Sequence, residues 1–142
     1  MPLAEAKDID IGVSSDADIV VRAPVADLTI LVKNLVDNAI RYTPHGGRVD
    51  LSTGMRDGQP WLRVEDSGPG IAPEERARVF DPFYRVLGSD ADGSGLGLSI
   101  AGTIGARIGA RIELDDAKPH GVIATVIFSA STVKQRISAN AC

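Results

Sequence analysis

The spacing of apolar and polar residues changes several times along the chain, and each change predicts an element. Met1 to Glu5 carries no pattern and is expected to be disordered. Asp8-Ile9-Asp10-Ile11-Gly12-Val13 alternates polar and apolar, as a strand buried on one face does. Ile19-Val20-Val21-Arg22 reads as a second strand beyond the polar turn Ser14–Asp18, and the pair predicts a hairpin at a sheet edge. From Pro24 the period lengthens. Leu28, Leu31, Leu35 and Ala39 recur at helical spacing and form one core stripe. Pro24 suits a first helical position, and Thr43-Pro44 ends the helix near Tyr42. His45-Gly46-Gly47 is a turn. Alternation then returns in Arg48–Thr53 and Trp61–Glu65, with Asp57-Gly58 as the hairpin signal between them.

Further on, Pro73-Glu74-Glu75-Arg76 starts a short helix with acids at its positive end. Phe80 to Asp92 reads as a lid rather than core. Leu96 to about Ile108 predicts a second long helix. Arg111–Leu114 and Val122–Phe128 are two closing strands around the turn Asp115–Gly121. Ser129–Cys142 is small and polar and is expected to be a mobile tail. Strands and helices do not alternate strictly. The expected fold is therefore an α/β (α+β) two-layer sandwich: a mixed sheet of about five strands with about three helices on one face. Residues 1–130 would form one domain and 131–142 a disordered tail.

Composition narrows the class. With 142 residues, 44% hydrophobic and 24% charged, the chain can bury the core of one globular domain. A net charge of −4 argues against a nucleic-acid surface. The single cysteine, Cys142, allows no disulfide within the chain and fits a reducing compartment. No apolar run reaches the length of a membrane span.

Two glycine-rich turns carry the candidate chemistry. Asp66-Ser67-Gly68-Pro69-Gly70 follows an apolar strand, and Gly93-Ser94-Gly95-Leu96-Gly97 runs into a helix. A glycine turn opening a helix presents free N–H groups and the positive end of the dipole, which suit phosphate. A carboxylate fixed at the first turn can accept a hydrogen bond from a ligand's amino group. Together they predict a nucleotide pocket, with the base at one turn, the phosphates at the other and a movable flap between. The second turn is not a Walker loop, because no Lys-Ser/Thr follows it, and it fits the dinucleotide fingerprint poorly. On the first long helix, Asn34 and Asn38 stand four apart, a poor mid-helix choice unless they face a ligand or solvent.

These segments resemble the four boxes of the GHKL ATP-binding fold, shared by sensor histidine kinases, type II topoisomerases, Hsp90 and MutL. Asn34-Leu35-Val36-Asp37-Asn38-Ala39-Ile40-Arg41-Tyr42-Thr43-Pro44 is similar to the N box. Asp66–Gly70 and Gly93–Gly97 are similar to the two glycine boxes. Phe80-Asp81-Pro82-Phe83-Tyr84-Arg85 resembles the F box of histidine kinases. The boxes occur in family order.

The resemblance implies a binding site for ATP and Mg2+. Asp66 would bind the adenine amino group, with Gly68 and Gly70 letting the backbone approach the base. Asn38 would ligate magnesium. Tyr42, Ile71 and Phe83 would lie by the nucleotide, and Gly93, Gly95, Leu96, Gly97 and Leu98 by its phosphates. The candidate catalytic positions are Asn34, Arg41 and Arg85, the last reaching from the lid. Hydrolytic GHKL members have a glutamate where Asn34 stands, and an amide cannot act as a general base.

Neither His45 nor His120 has the surroundings of a phosphoacceptor. The resemblance therefore implies the catalytic domain of a bacterial two-component sensor histidine kinase without its phosphoacceptor histidine. Its expected partners are the dimerisation and phosphoacceptor domain of the same kinase and a response regulator, with the isolated fragment a monomer and no nucleic acid bound. It would be a cytoplasmic domain of a parent protein in the bacterial inner membrane. The alternatives are a GHKL ATPase of the gyrase, Hsp90 or MutL kind and a nucleotide-binding module without turnover. The chain departs from the family pattern at Ile108-Gly109-Ala110, where His-Gly-Gly is frequent, and at Gly121-Val122, where Gly-Thr is frequent.

Overall fold

The computed structural model describes residues 7–15, 19–21, 23–76, 78, 80, 97–129 and 135–137. In chain order the elements are β1 (Asp10–Ser15), β2 (Ile19–Val21), α1 (Val25–Tyr42), β3 (Arg48–Arg56), β4 (Gln59–Asp66), a 3-10 turn (Pro73–Glu75), α2 (Gly97–Arg107), β5 (Ala110–Asp116), β6 (Val122–Phe128) and β7 (Gln135–Ile137). Five strands form one sheet in the order β1-β3-β4-β6-β5, and β2 pairs with β7 in a separate ladder. The large sheet is mixed, because β1 runs parallel to β3 while every other pairing in it is antiparallel.

The first two strands do not form the expected hairpin. β1 pairs with β3, Ile11 beside Val49 and Val13 beside Leu51, while β2 pairs with β7, Ile19 beside Ile137. Alternation fixes which residues share a face but not the partner strand. A parallel partner needs a long crossover, and α1 lies within it. Ser14 and Ser15 also belong to β1 instead of a turn, and the Ser15 hydroxyl lies 3.1 Å from that of Thr53. The segment read as a mobile tail supplies the three-residue strand β7, which gives the backbone of β2 a partner.

The other elements follow the pattern closely. α1 has 18 residues and buries Leu28, Leu31, Leu35 and Ala39 as one stripe. Pro24 sits one position earlier than expected, as the N-cap with ψ 135°. Thr43 ends the helix: its hydroxyl donates to the Ala39 carbonyl at 2.7 Å, and its backbone leaves the helical region with ψ 129°. Lys7 then caps the last turn, its Nζ donating to the carbonyls of Ile40 at 2.8 Å and Arg41 at 2.9 Å. In the β3–β4 hairpin, Asp57 and Gly58 both have positive φ, 53° and 78°, as a two-residue primed turn requires.

The register sorts the sheet into two faces. Val49, Leu51, Leu62, Val64, Ala124, Val126 and Phe128 share the buried face with Asp66. Above them lie the stripe of α1 and Leu98, Ala101 and Ile104 of α2. The opposite face carries the exposed ion pairs Arg48–Asp50 and Arg111–Glu113, together with Trp61 and Arg63. Arg107 at the end of α2 pairs with Asp27 in the first turn of α1 at 3.2 Å, while Leu98 at the start of α2 lies by the last turns of α1. The helices thus run side by side in opposite senses. The C-terminal end of α1, the N-terminal end of α2 and the end of β4 meet at one place.

Candidate functional site

An open cleft lies at that meeting point. α1 lines it with Leu35, Asn38, Ala39 and Tyr42, and β4 with Val64 and Asp66. Gly70, Ile71 and Leu98 close one side; Leu114, Val122 and Ala124 form the rest of the floor. The walls are mostly apolar, with a few polar groups among them, as is usual for small-molecule sites.

Asp66 is the charged residue of this wall, and it is 8% exposed. It faces inward because it continues the buried alternation of Leu62 and Val64. Its Oδ1 accepts from the Gly68 amide at 2.9 Å and from the Val122 amide at 3.2 Å. Both described bonds fall on one oxygen, and Oδ2 takes part in none among the described residues. Burial pushes the Asp66 carboxyl above the usual carboxylate range, while the two amides and nearby His120 pull it back down.

Gly68 has a structural reason of its own. A Cβ there would stand 2.6 Å from the Tyr42 carbonyl oxygen, so the turn can lie over the end of α1 only as glycine. Gly121 is tighter still: its φ is 121°, and a Cβ would stand 1.9 Å from the Asp66 carbonyl oxygen. Asn38 is half-buried on the cleft wall, and its side-chain amide has no hydrogen-bond partner among the described residues. No group of three or more His, Cys, Asp or Glu residues suited to a metal occurs among them either.

The structure thus brings Asn38, Tyr42, Asp66, Gly70, Ile71 and Leu98 together, with Gly68 directly behind Asp66 and Gly97 starting α2. Asn34 and Arg41 do not line the cleft. Asn34 turns back along its own helix, its Nδ2 donating to the Ile30 carbonyl at 2.8 Å, and Arg41 is exposed. Phe83, Arg85, Gly93, Gly95 and Leu96, with the lid from Asp81 to Asp92, lie outside the described residues. Phe80 is described, and it packs against the core beside Gly102 of α2. Val64, Leu114, Val122 and Ala124 were not anticipated as lining residues. Alternation could have found them, since Val64 and Asp66 share a face, as do Val122 and Ala124.

Residues 24–132 match the family model of the histidine kinase-, DNA gyrase B- and HSP90-like ATPases. The chain belongs to this family. Among its relatives is the swarming motility regulation sensor protein RssA of Serratia marcescens, 36% identical over 119 residues, which are 82% of this chain and 25% of that protein. The chain thus spans about a quarter of that curated relative. Two solved structures share the fold closely. The mycobacterial sensor histidine kinase MprB superposes with a TM-score of 0.78 at 31% identity, covering 94% of this chain and 89% of that one. Full-length ShkA in complex with AMPPNP also gives 0.78, at 28% identity, covering 96% of this chain and 28% of that one. The ATPase-family match covers α1, the cleft and β6, the elements that position Asn38 and Asp66. No helix among the described residues is long and apolar enough to cross a membrane.

Proposed function

We propose that this ATPase-family domain binds Mg-ATP and, within a longer sensor histidine kinase, donates the γ-phosphate to a histidine of a separate dimerisation and phosphoacceptor domain. The observation that carries the reading is the split use of the Asp66 carboxylate. Oδ1 is held by two backbone amides, Oδ2 takes part in no described hydrogen bond, and Asp66 lines a mostly apolar cleft. A carboxylate oxygen accepts and does not donate, so it suits the amino group of adenine and not the carbonyl of guanine.

The phosphates would then lie toward the start of α2, where the positive end of the helix dipole favours an anion. Asn38 lines the same cleft, with no partner for its amide among the described residues. One neutral oxygen ligand, with phosphate oxygens and water, suits magnesium, which keeps much of its hydration. The bound ion would draw charge from the phosphate oxygens. Arg41 and Arg85 remain proposed phosphate contacts.

Asn34 bears on what happens next. An amide bonded to its own helix has no basic site, so attack by water gains no general base there. A neutral imidazole needs none, since it is already a nucleophile. Slow hydrolysis and competent transfer to histidine are therefore compatible in one site. The parent protein would sit in a bacterial membrane with this domain in the cytoplasm, and a response regulator would receive the phosphate.

The test combines this chain with the separately produced phosphoacceptor domain of its parent kinase and radiolabelled Mg-ATP. Acid-labile, base-stable phosphate on that domain is expected. Release of free phosphate with no labelled histidine would overturn the kinase reading in favour of an ATPase.

A further inference from the structure

His120 stands in the turn between β5 and β6, and its Nδ1 lies 2.8 Å from the carbonyl oxygen of Gly68. A carbonyl only accepts, so Nδ1 must carry the proton of this bond. The amide of Gly68 donates to Asp66 Oδ1. Gly68 is therefore held at both ends of its backbone, by Asp66 at the N–H and by His120 at the carbonyl. That restraint has a reason. Gly68 cannot carry a side chain beneath Tyr42 and so has none to pack, and glycine is the residue with most backbone freedom to lose. The two residues after His120 act on the same place. Gly121 packs against the Asp66 carbonyl, and the Val122 amide donates to Asp66 Oδ1.

We propose that His120 is a positioning residue for base recognition. Through Gly68 it fixes the rotation of the Asp66 carboxylate, so that Oδ2 points at the exocyclic amino group of a purine nucleotide. It thereby sets the preference for an adenine over a hypoxanthine nucleotide, which has a carbonyl at that position. This rests on the assignment of Asp66 to the base. It places the specificity in a turn 52 residues beyond the glycine it restrains.

Calorimetry of the 142-residue chain with ATP and with ITP tests it. The parent is expected to prefer ATP. His120→Ala should weaken ATP about three- to tenfold, the effect of one hydrogen bond, and ITP much less, so that the ratio narrows. His120→Asn should restore the ratio, because its Nδ2 stands near where Nδ1 was. His120→Gln, whose amide nitrogen sits farther out, should not. A merely structural role would weaken both nucleotides alike, and that result, or an unchanged ratio, overturns the proposal. A parent without preference for ATP would instead remove the Asp66 assignment and the proposal with it. The imidazole nitrogen spectrum of the free chain gives a readout without nucleotide. A protonated Nδ1 supports the bond, and a neutral ring protonated at Nε2 alone refutes it.

Discussion

The two ends of the cleft are built differently. At the proposed base end, the amides of Gly68 and Val122 donate to the Asp66 carboxylate, and Gly121 is pressed against Asp66 with no room for a methyl group. At the other end stands Asn38 of α1 without a described partner; on the same helix but off the cleft, Arg41 is in solvent and Asn34 is turned onto its own backbone. If the base binds there as proposed, those contacts already hold its partner in place, and little ordering entropy should oppose binding. The helix end would be free to take its geometry from the metal and phosphate proposed there. Damage at the first end should therefore reach the fold, and damage at the second should reach only the chemistry.

The largest effect is expected from Gly121→Ala. It combines an unfavourable positive φ with overlap against the backbone of Asp66, and neither side can yield cheaply. A loss of about 3 kcal/mol is expected from strain and overpacking together, read as a fall in the urea midpoint with loss of ATP binding. An unchanged midpoint would mean that the base end is not rigid. Next comes Asp66→Ala, for which ATP affinity should fall more than about tenfold, as for a buried charged hydrogen bond. Calorimetry with ATP and GTP checks it; equal affinity of the parent for both would defeat the assignment.

Asn38→Ala should spoil Mg-ATP binding or phosphotransfer yet move stability by no more than about 0.5 kcal/mol, because its amide holds nothing else among the described residues. Phosphotransfer at the parent rate would remove Asn38 as the ligand.

The smallest effect is a pH dependence of opposite sign in two measurements. Burial raises the Asp66 carboxyl pKa in the folded state. Folding then binds its proton more tightly, so the contribution of Asp66 to stability falls as pH rises from the unfolded to the folded pKa. Nucleotide binding needs the ionised form, so ATP affinity should rise over the same window. On acidification it should begin to fall at a higher pH than an ordinary aspartate would dictate. Asp66→Asn removes this step and controls for the ligand's own titration; parallel profiles for parent and variant would count against it.

How much of this was legible in the sequence depended on whether the cause was local. α1, the β3–β4 hairpin and β6 were readable because periodicity and turn chemistry act within a few residues. Asp66 was readable because a carboxylate ending an apolar strand is conspicuous. The pairing of β1 with β3 and of β2 with β7 was not, since a strand's partner is chosen by tertiary packing that alternation does not encode. Asn34 and Asn38 look equivalent by spacing and only the family resemblance gives them different roles; the structure places Asn38 on the cleft and bonds Asn34 to Ile30. His120 gave no signal, because its partner is a backbone carbonyl far away in sequence.

Trp61, the only tryptophan in the chain, lies on the side of the sheet opposite the cleft, alternating with Leu62, Val64 and Asp66. It is 9% exposed, fills the space left by Gly54, and carries the Arg63 guanidinium 4.7 Å from its ring centroid. That stacking gives the Arg63 guanidinium, whose Nε is buried without a hydrogen-bond partner among the described residues, a favourable neighbour in the ring face. The indole is therefore a built-in optical probe that senses unfolding and is insulated from the ligand. Its emission should stay constant as ATP saturates the cleft and change only when the sheet comes apart. A single fluorescence channel can then follow how far bound nucleotide shifts the unfolding midpoint, with no correction for a spectral response to binding.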